Sequence, residues 1–201
     1  MRALIRLAAC FAFVGAQGTA FAGAQVYEPL AASVQAALSK AVSDHAPRKS
    51  AFKSKLDEVD WLTAMSRRLD LRVRDDKNRI ALLKTVHYEA SRAGLDPQLV
   101  LGLIQVESGF KKYAVSAAGA RGLMQVMPFW VRLIGAKSDN LFDMRKNIRY
   151  GCAILRHYLD LEKGDLYRAL GRYNGSLGKP EYPRAVEAVW KNQWRYDGKL
   201  A

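Results

Sequence analysis

The chain has 201 residues, half of them hydrophobic and a quarter charged, with a formal net charge of +13. That length bounds it to one domain plus a short extra piece, enough to bury a core, and the composition is that of a globular protein, not of a disordered or fibrous chain. The charge favours an anionic polymer (nucleic acid, an acidic membrane surface, or wall glycan carrying peptide carboxylates) without choosing among them.

Residues 1–22 read as a secretory signal peptide. Arg2 and Arg6 form the positive start, Leu7 to Val14 the apolar run, and Ala20-Phe21-Ala22 a small-x-small cleavage site. The apolar run is too short to span a bilayer. Cleavage after Ala22 would place the protein in the periplasm or cell envelope. A rival reading makes Leu7-Ala8-Ala9-Cys10 a lipobox, but Arg6 sits too close and the apolar residues continue past Cys10. Without Cys10, Cys152 is the one remaining cysteine, so an internal disulfide is excluded. Its place in an apolar helical run predicts a buried core thiol.

The rest of the sequence reads as all-α. Residues 31–43 carry Val34, Leu38 and Val42 on one helical stripe. His45 to Lys55 turns polar and basic, so residues 23–56 are expected to be a loosely attached extension and linker, dispensable for activity and available to envelope protein partners. Residues 57–201 form the main domain. Trp61, Leu62, Met65 and Leu69 predict a helix, and the next starts near Asp76 as its cap, with Ile80, Leu83, Val86 and Ala90 inward, ending at Gly94. Asp96-Pro97 starts a helix that carries Leu99, Val100, Leu103, Ile104 and then Glu107. Gly109 breaks it. A loop runs to about Ala118, followed by short helices over 122–127 and 128–134. A long helix over 144–162 turns Ile148, Cys152, Leu155 and Leu159 inward. Asp165 caps a helix ending at Tyr173, and a last helix spans roughly Glu181 to Arg195.

Glu107 shares the apolar face of Leu103 and Ile104. A carboxyl there loses solvation for its charge, which raises its pKa and lets it donate a proton near neutral pH; the bland alternative is that it frays outward at the helix end. The segment that follows is rich in small residues, with Gly119, Gly122 and three alanines that allow close backbone approach. Gln125 could hydrogen-bond a sugar amide and Met127 could line a sugar ring, while Met124 reads as core filler. Tyr173-Asn174-Gly175 could enter the same groove or simply turn the chain.

Taken together, Glu107-Ser108, Ser116 nine residues after Glu107, Gly-Ala-x-Gly-Leu-Met-Gln-x-Met-Pro, Asn147-Ile148-x-x-Gly151 and Tyr173-Asn174-Gly175 resemble, in order, the motifs of the soluble lytic transglycosylase (SLT) domain family over about residues 78–178. The third motif departs from the family's commoner Tyr-Asn-Ala-Gly. The resemblance implies a lysozyme-like α fold and non-hydrolytic cleavage of the MurNAc-β-1,4-GlcNAc bond of peptidoglycan to 1,6-anhydromuramyl products. By the same resemblance Glu107 is general acid and then base, Ser116, Gln125, Met127, Tyr173 and Asn174 bind the sugar, and neither metal nor other cofactor is needed. Asp139 and Asp143, the candidates for a second carboxylate, read better as turn and cap residues. A hydrolase like goose-type lysozyme, and a weakly active wall-binding module guiding a secretion apparatus, remain as alternatives. Lys111 and Lys112 are the candidates to meet stem-peptide carboxylates. The export signal and the lack of a base-reading helix argue against nucleic acid, and a monomer is expected.

Overall fold

The computed structural model describes residues 25–43 and 52–198. The expected signal peptide with its cleavage site, Cys10, and residues 44–51 of the expected linker lie outside them. Among the described residues the fold is all-α. The helices are α1 (Ala32–Ser43), α2 (Lys55–Leu69), α3 (Asp76–Arg92), α4 (Pro97–Ser108), α5 (Pro128–Ile134), α6 (Met144–Leu161), α7 (Leu166–Asn174) and α8 (Glu181–Val189), with a π-helical turn over Trp190–Trp194.

Local chemistry starts most of these helices. Ser54 accepts from the Asp57 N–H, Asp75 from Asn78, Asp96 from Gln98, Asp143 from Lys146 and Asp165 from Arg168. Each cap satisfies a backbone donor the helix itself cannot, worth about 1 kcal/mol. The cap of α3 is therefore Asp75, one residue before the expected Asp76. Asp76 instead pairs with Arg79, whose buried guanidinium also donates to Ser66 Oγ at 2.8 Å and to the Val73 carbonyl at 2.7 Å. Arg79 thus takes a buried place at the head of α3, and Ile80 is only half-buried.

Helix α4 is the axis of the domain. Leu99, Val100, Leu101, Leu103 and Ile104 are all buried, the pattern of a helix covered on every side. Helices α3 and α8 and the π turn enclose it. Helix α6 packs on α1, α3 and α7 with Ile148, Cys152, Leu155 and Leu159 buried at the expected positions. Cys152 is a free, buried thiol, and burial pushes its pKa far up, so it stays protonated. Between α3 and α6, Glu89 is fully buried but held by both nitrogens of an Arg149 fork, at 3.0 and 3.1 Å. A buried carboxylate survives in such a place only when it is paired.

Two expectations change. Residues 122–127 form no helix: Val115, Arg121 and Val126 meet in isolated antiparallel bridges, and Gly122 and Gln125 have φ of 75° and 48°. That left-handed backbone cannot continue a helical turn. The helix in the expected loose extension is docked. Leu38 and Val42 are buried, α1 lies on α5 and α6, and Gln35 donates to the Leu133 carbonyl at 2.7 Å. The apolar stripe read in 31–43 is what covers this face.

Candidate active site

The site is assembled where α4 ends. Glu107 lies in the last turn and is only 4% exposed. The Tyr182 phenol, on the first turn of α8, donates a hydrogen bond to Glu107 Oε1. Oε2 is buried without a hydrogen-bond partner among the described residues. Burial pushes the Glu107 pKa up to about 8, with the Tyr182 hydrogen bond pulling the other way. Glu107 is therefore a neutral acid at pH 7 with one oxygen uncommitted. Tyr182 is fully buried, and burial together with the neighbouring Glu107 carboxyl raises its pKa, so it remains a phenol and a donor.

The loop 109–127 is fastened to its scaffold by side chains from three helices. Ser108 Oγ, beside Glu107, donates to the Leu123 carbonyl at 2.7 Å. Asn147 of α6 accepts from the Met124 N–H at 2.7 Å and donates to the carbonyls of Arg121 and Leu141 at 2.8 and 2.9 Å. Tyr173 of α7 donates to the Met124 carbonyl at 2.8 Å. Both backbone groups of Met124 are thus held, and its side chain is fully buried. The glycines permit this approach. A Cβ on Gly122 would stand 2.5 Å from both Asn147 Nδ2 and the Leu141 carbonyl, and one on Gly151 would stand 2.4 Å from Met124 Sδ. The motifs around residues 147–151 and 173 are therefore what holds the residue 120–127 loop against the core.

The residues expected to bind sugar are gathered on this loop or directly behind it. Ser116 Oγ accepts from the Ala120 N–H at 3.1 Å, closing the turn. The Gln125 amide is turned inward, donating to the carbonyls of Gly122 at 2.8 Å and Ala114 at 3.2 Å. Met127 is half-buried at the start of α5, and Asn174 is buried at the end of α7. Lys111 and Lys112 are exposed, the latter over the Tyr113 ring. Asp139 and Asp143 are engaged elsewhere. Asp139 takes hydrogen bonds from Tyr150 and Lys146, both at 2.6 Å, and Asp143 caps α6. Burial pushes the Asp139 pKa up, but these bonds outweigh it and hold the carboxylate low.

Sequence reasoning missed two residues here. Tyr182 was read only as part of a last helix, and its signal is weak: it falls on the Tyr182–Val186 inner stripe of α8. Gln25 is buried against the loop and belongs to no motif.

Among the described residues no group of side chains is arranged to hold a metal ion, and no helix is long and apolar enough to cross a membrane.

Residues 84–188 match the sequence profile of the family described as the Transglycosylase SLT domain. The transglycosylase of Enterobacteria phage PRD1 is 36% identical over 99 residues, which cover 49% of this chain and 36% of that protein. The membrane-bound lytic murein transglycosylase C of Histophilus somni is 42% identical over 82 residues, covering 36% of this chain and 23% of the relative. The solved lytic transglycosylase Slt of Pseudomonas aeruginosa is 25% identical, with 64% of this chain and 22% of that one covered at a TM-score of 0.45. The match thus spans about a third or less of the length of these curated relatives. With just over half of its residues under the family profile, the chain belongs to the transglycosylase SLT domain family.

Proposed function

We propose that the protein is a peptidoglycan lytic transglycosylase of the cell envelope in which Glu107 is the single acid and base. The observation that carries this reading is a fully buried carboxyl, neutral at physiological pH, with one oxygen uncommitted at the edge of the clamped loop. A neutral acid can give its proton to the glycosidic oxygen as the C1–O bond of N-acetylmuramic acid breaks. The resulting carboxylate then takes the proton of the muramyl 6-hydroxyl as that oxygen bonds to C1, closing the 1,6-anhydro ring and restoring Glu107. No water is consumed. The substrate's own acetamido group is the stabiliser of the positive anomeric carbon, which removes the need for a second carboxylate. The engagement of Asp139 and Asp143 with other partners supports this one-acid scheme, which differs from the paired carboxylates, roughly 5–10 Å apart, of most glycosidases. Ser116, Gln125 and Tyr173 serve the sugar by shaping the loop it lies on, Asn174 lies buried at the end of α7 behind them, and Met127 offers an apolar edge.

Mass spectrometry of digested peptidoglycan tests the reading. Products lighter by one water than the corresponding hydrolysis products are expected from the wild type, and none from Glu107→Gln, since general acid–base catalysis contributes about 10²–10⁴-fold. Free reducing ends would identify a hydrolase instead. A folded Glu107→Gln protein that cuts at the wild-type rate would remove Glu107 from the reaction.

A further inference from the structure

The segment ahead of α1 lies on the signature loop. Gln25 is 4% exposed although its neighbours Val26 and Tyr27 are 56% and 57% exposed. Its carboxamide oxygen accepts from the Met127 N–H at 3.2 Å, and its nitrogen faces the Gln125 carbonyl at 3.4 Å. One planar amide therefore takes a backbone acceptor and a backbone donor two residues apart, on the stretch that the function reading assigns to sugar. The acetamido group of an amino sugar presents the same pair: one carbonyl acceptor and one N–H donor on a planar amide.

We propose that residues 25–30 form a built-in competitor of the glycan. Gln25 stands where an acetamido group of the substrate would pair, and substrate must displace it. Leu30 packs against the core, but the stretch between it and Gln25 is held lightly. Tyr27 meets the edge of Phe129 with ring centroids 5.7 Å apart, and Glu28 pairs with Arg172 at 3.1 Å near the surface, where such pairs contribute little. Release is thus easy. Return is also assured, because the buried Leu38 and Val42 anchor α1 and keep the segment at a high effective concentration over the loop. This rests on the reading of an N-acetylated glycan as substrate.

The test uses the Glu107→Gln full-length protein, so that binding is read without cleavage. A β-1,4-linked tetramer of N-acetylglucosamine is titrated into it and into the same protein carrying Gln25→Ala or Tyr27→Ala with Glu28→Ala. Both additional changes should tighten binding, Gln25→Ala by roughly five- to tenfold, the worth of about one net hydrogen bond. The tetramer should also accelerate amide exchange across residues 25–30 of the protein that retains Gln25. In the cleaving enzyme, Tyr27→Ala with Glu28→Ala should lower KM and leave kcat unchanged. Weaker binding after Gln25→Ala would make the glutamine part of the sugar site and overturn the competition. Unchanged affinity in both variants, or slower exchange on adding tetramer, would overturn it equally. A tetramer that binds none of the three proteins removes the glycan reading itself, and the competition with it. The Tyr27 and Glu28 changes lie on exposed side chains, so the outcome stands even where Gln25→Ala weakens the fold.

Discussion

Glu107 couples acidity to stability. The unfolded chain releases this proton near pH 4.5, while the folded protein holds it to about pH 8. Between those values the native state binds more protons than the unfolded state, so this group makes stability fall as pH rises, by at most about 1.4 kcal/mol per pH unit. Urea unfolding measured from pH 5 to pH 8 should therefore show a downward slope that flattens in Glu107→Gln; parallel curves would show that the carboxyl ionises at its ordinary value. Cleavage should also fall as pH passes above about 8, as the acid loses its proton. Tyr182→Phe sharpens the point. The phenol favours the ionised carboxyl, so its loss should move the alkaline limb of the pH–rate profile upward and slow cleavage roughly tenfold. An unmoved limb would mean that Tyr182 only packs.

Scaled up to the element, the loop is a joint between α4, α6 and α7. Asn147→Ala removes three hydrogen bonds and leaves the Met124 N–H and the Leu141 carbonyl unpaired, while the Arg121 carbonyl keeps the Val126 N–H. Such losses cost about 3–5 kcal/mol together, and cleavage should be lost with Glu107 intact. Gly151→Ala drives a methyl group into Met124 and should cost about 1–3 kcal/mol by overpacking; both costs are read from the chemical-denaturation midpoint. The sequence showed Asn147 and Gly151 only as members of a motif, because most of their work is done on the 121–124 stretch, more than twenty residues away. Caps and apolar stripes, which act within a few residues, placed seven of the helix starts closely. The left-handed Gln125 was invisible, since nothing local to glutamine favours φ of 48° and only the surrounding clamps hold it there. The joining of Tyr182 to Glu107 was equally hidden, as it depends on how α8 crosses α4.

For the whole molecule, the docked position of α1 changes what truncation should do. The sequence leads to an extension that can be removed freely, whereas Leu38 and Val42 are buried against the domain. Uncovering two such side chains costs about 3–6 kcal/mol as an upper figure. A chain starting at Asp57 also lacks Ser54, the cap of α2. It should melt at a clearly lower temperature than the full chain and bind an apolar dye at the bared faces of α5 and α6. Equal melting temperatures would restore the loose-extension picture. Part of the strong positive charge is structural as well. Arg68 and Arg72 donate to the Arg195 carbonyl at 2.8 Å and to Gln193 at 3.4 Å, tying the end of α2 to the π turn.

The contact between Tyr182 and Glu107 also has a meaning in time. The two residues are 75 positions apart, and the phenol arrives on α8, after helices α1 to α7. A growing chain that has reached only the end of α7 carries Glu107 without its hydrogen-bond donor and without the helix packed against α4. Without that cover the carboxyl is exposed to water, and the burial that raises its pKa is lost. A purified chain that stops before residue 182 should therefore lack the buried acid on which the proposed reaction depends, and should leave peptidoglycan uncut.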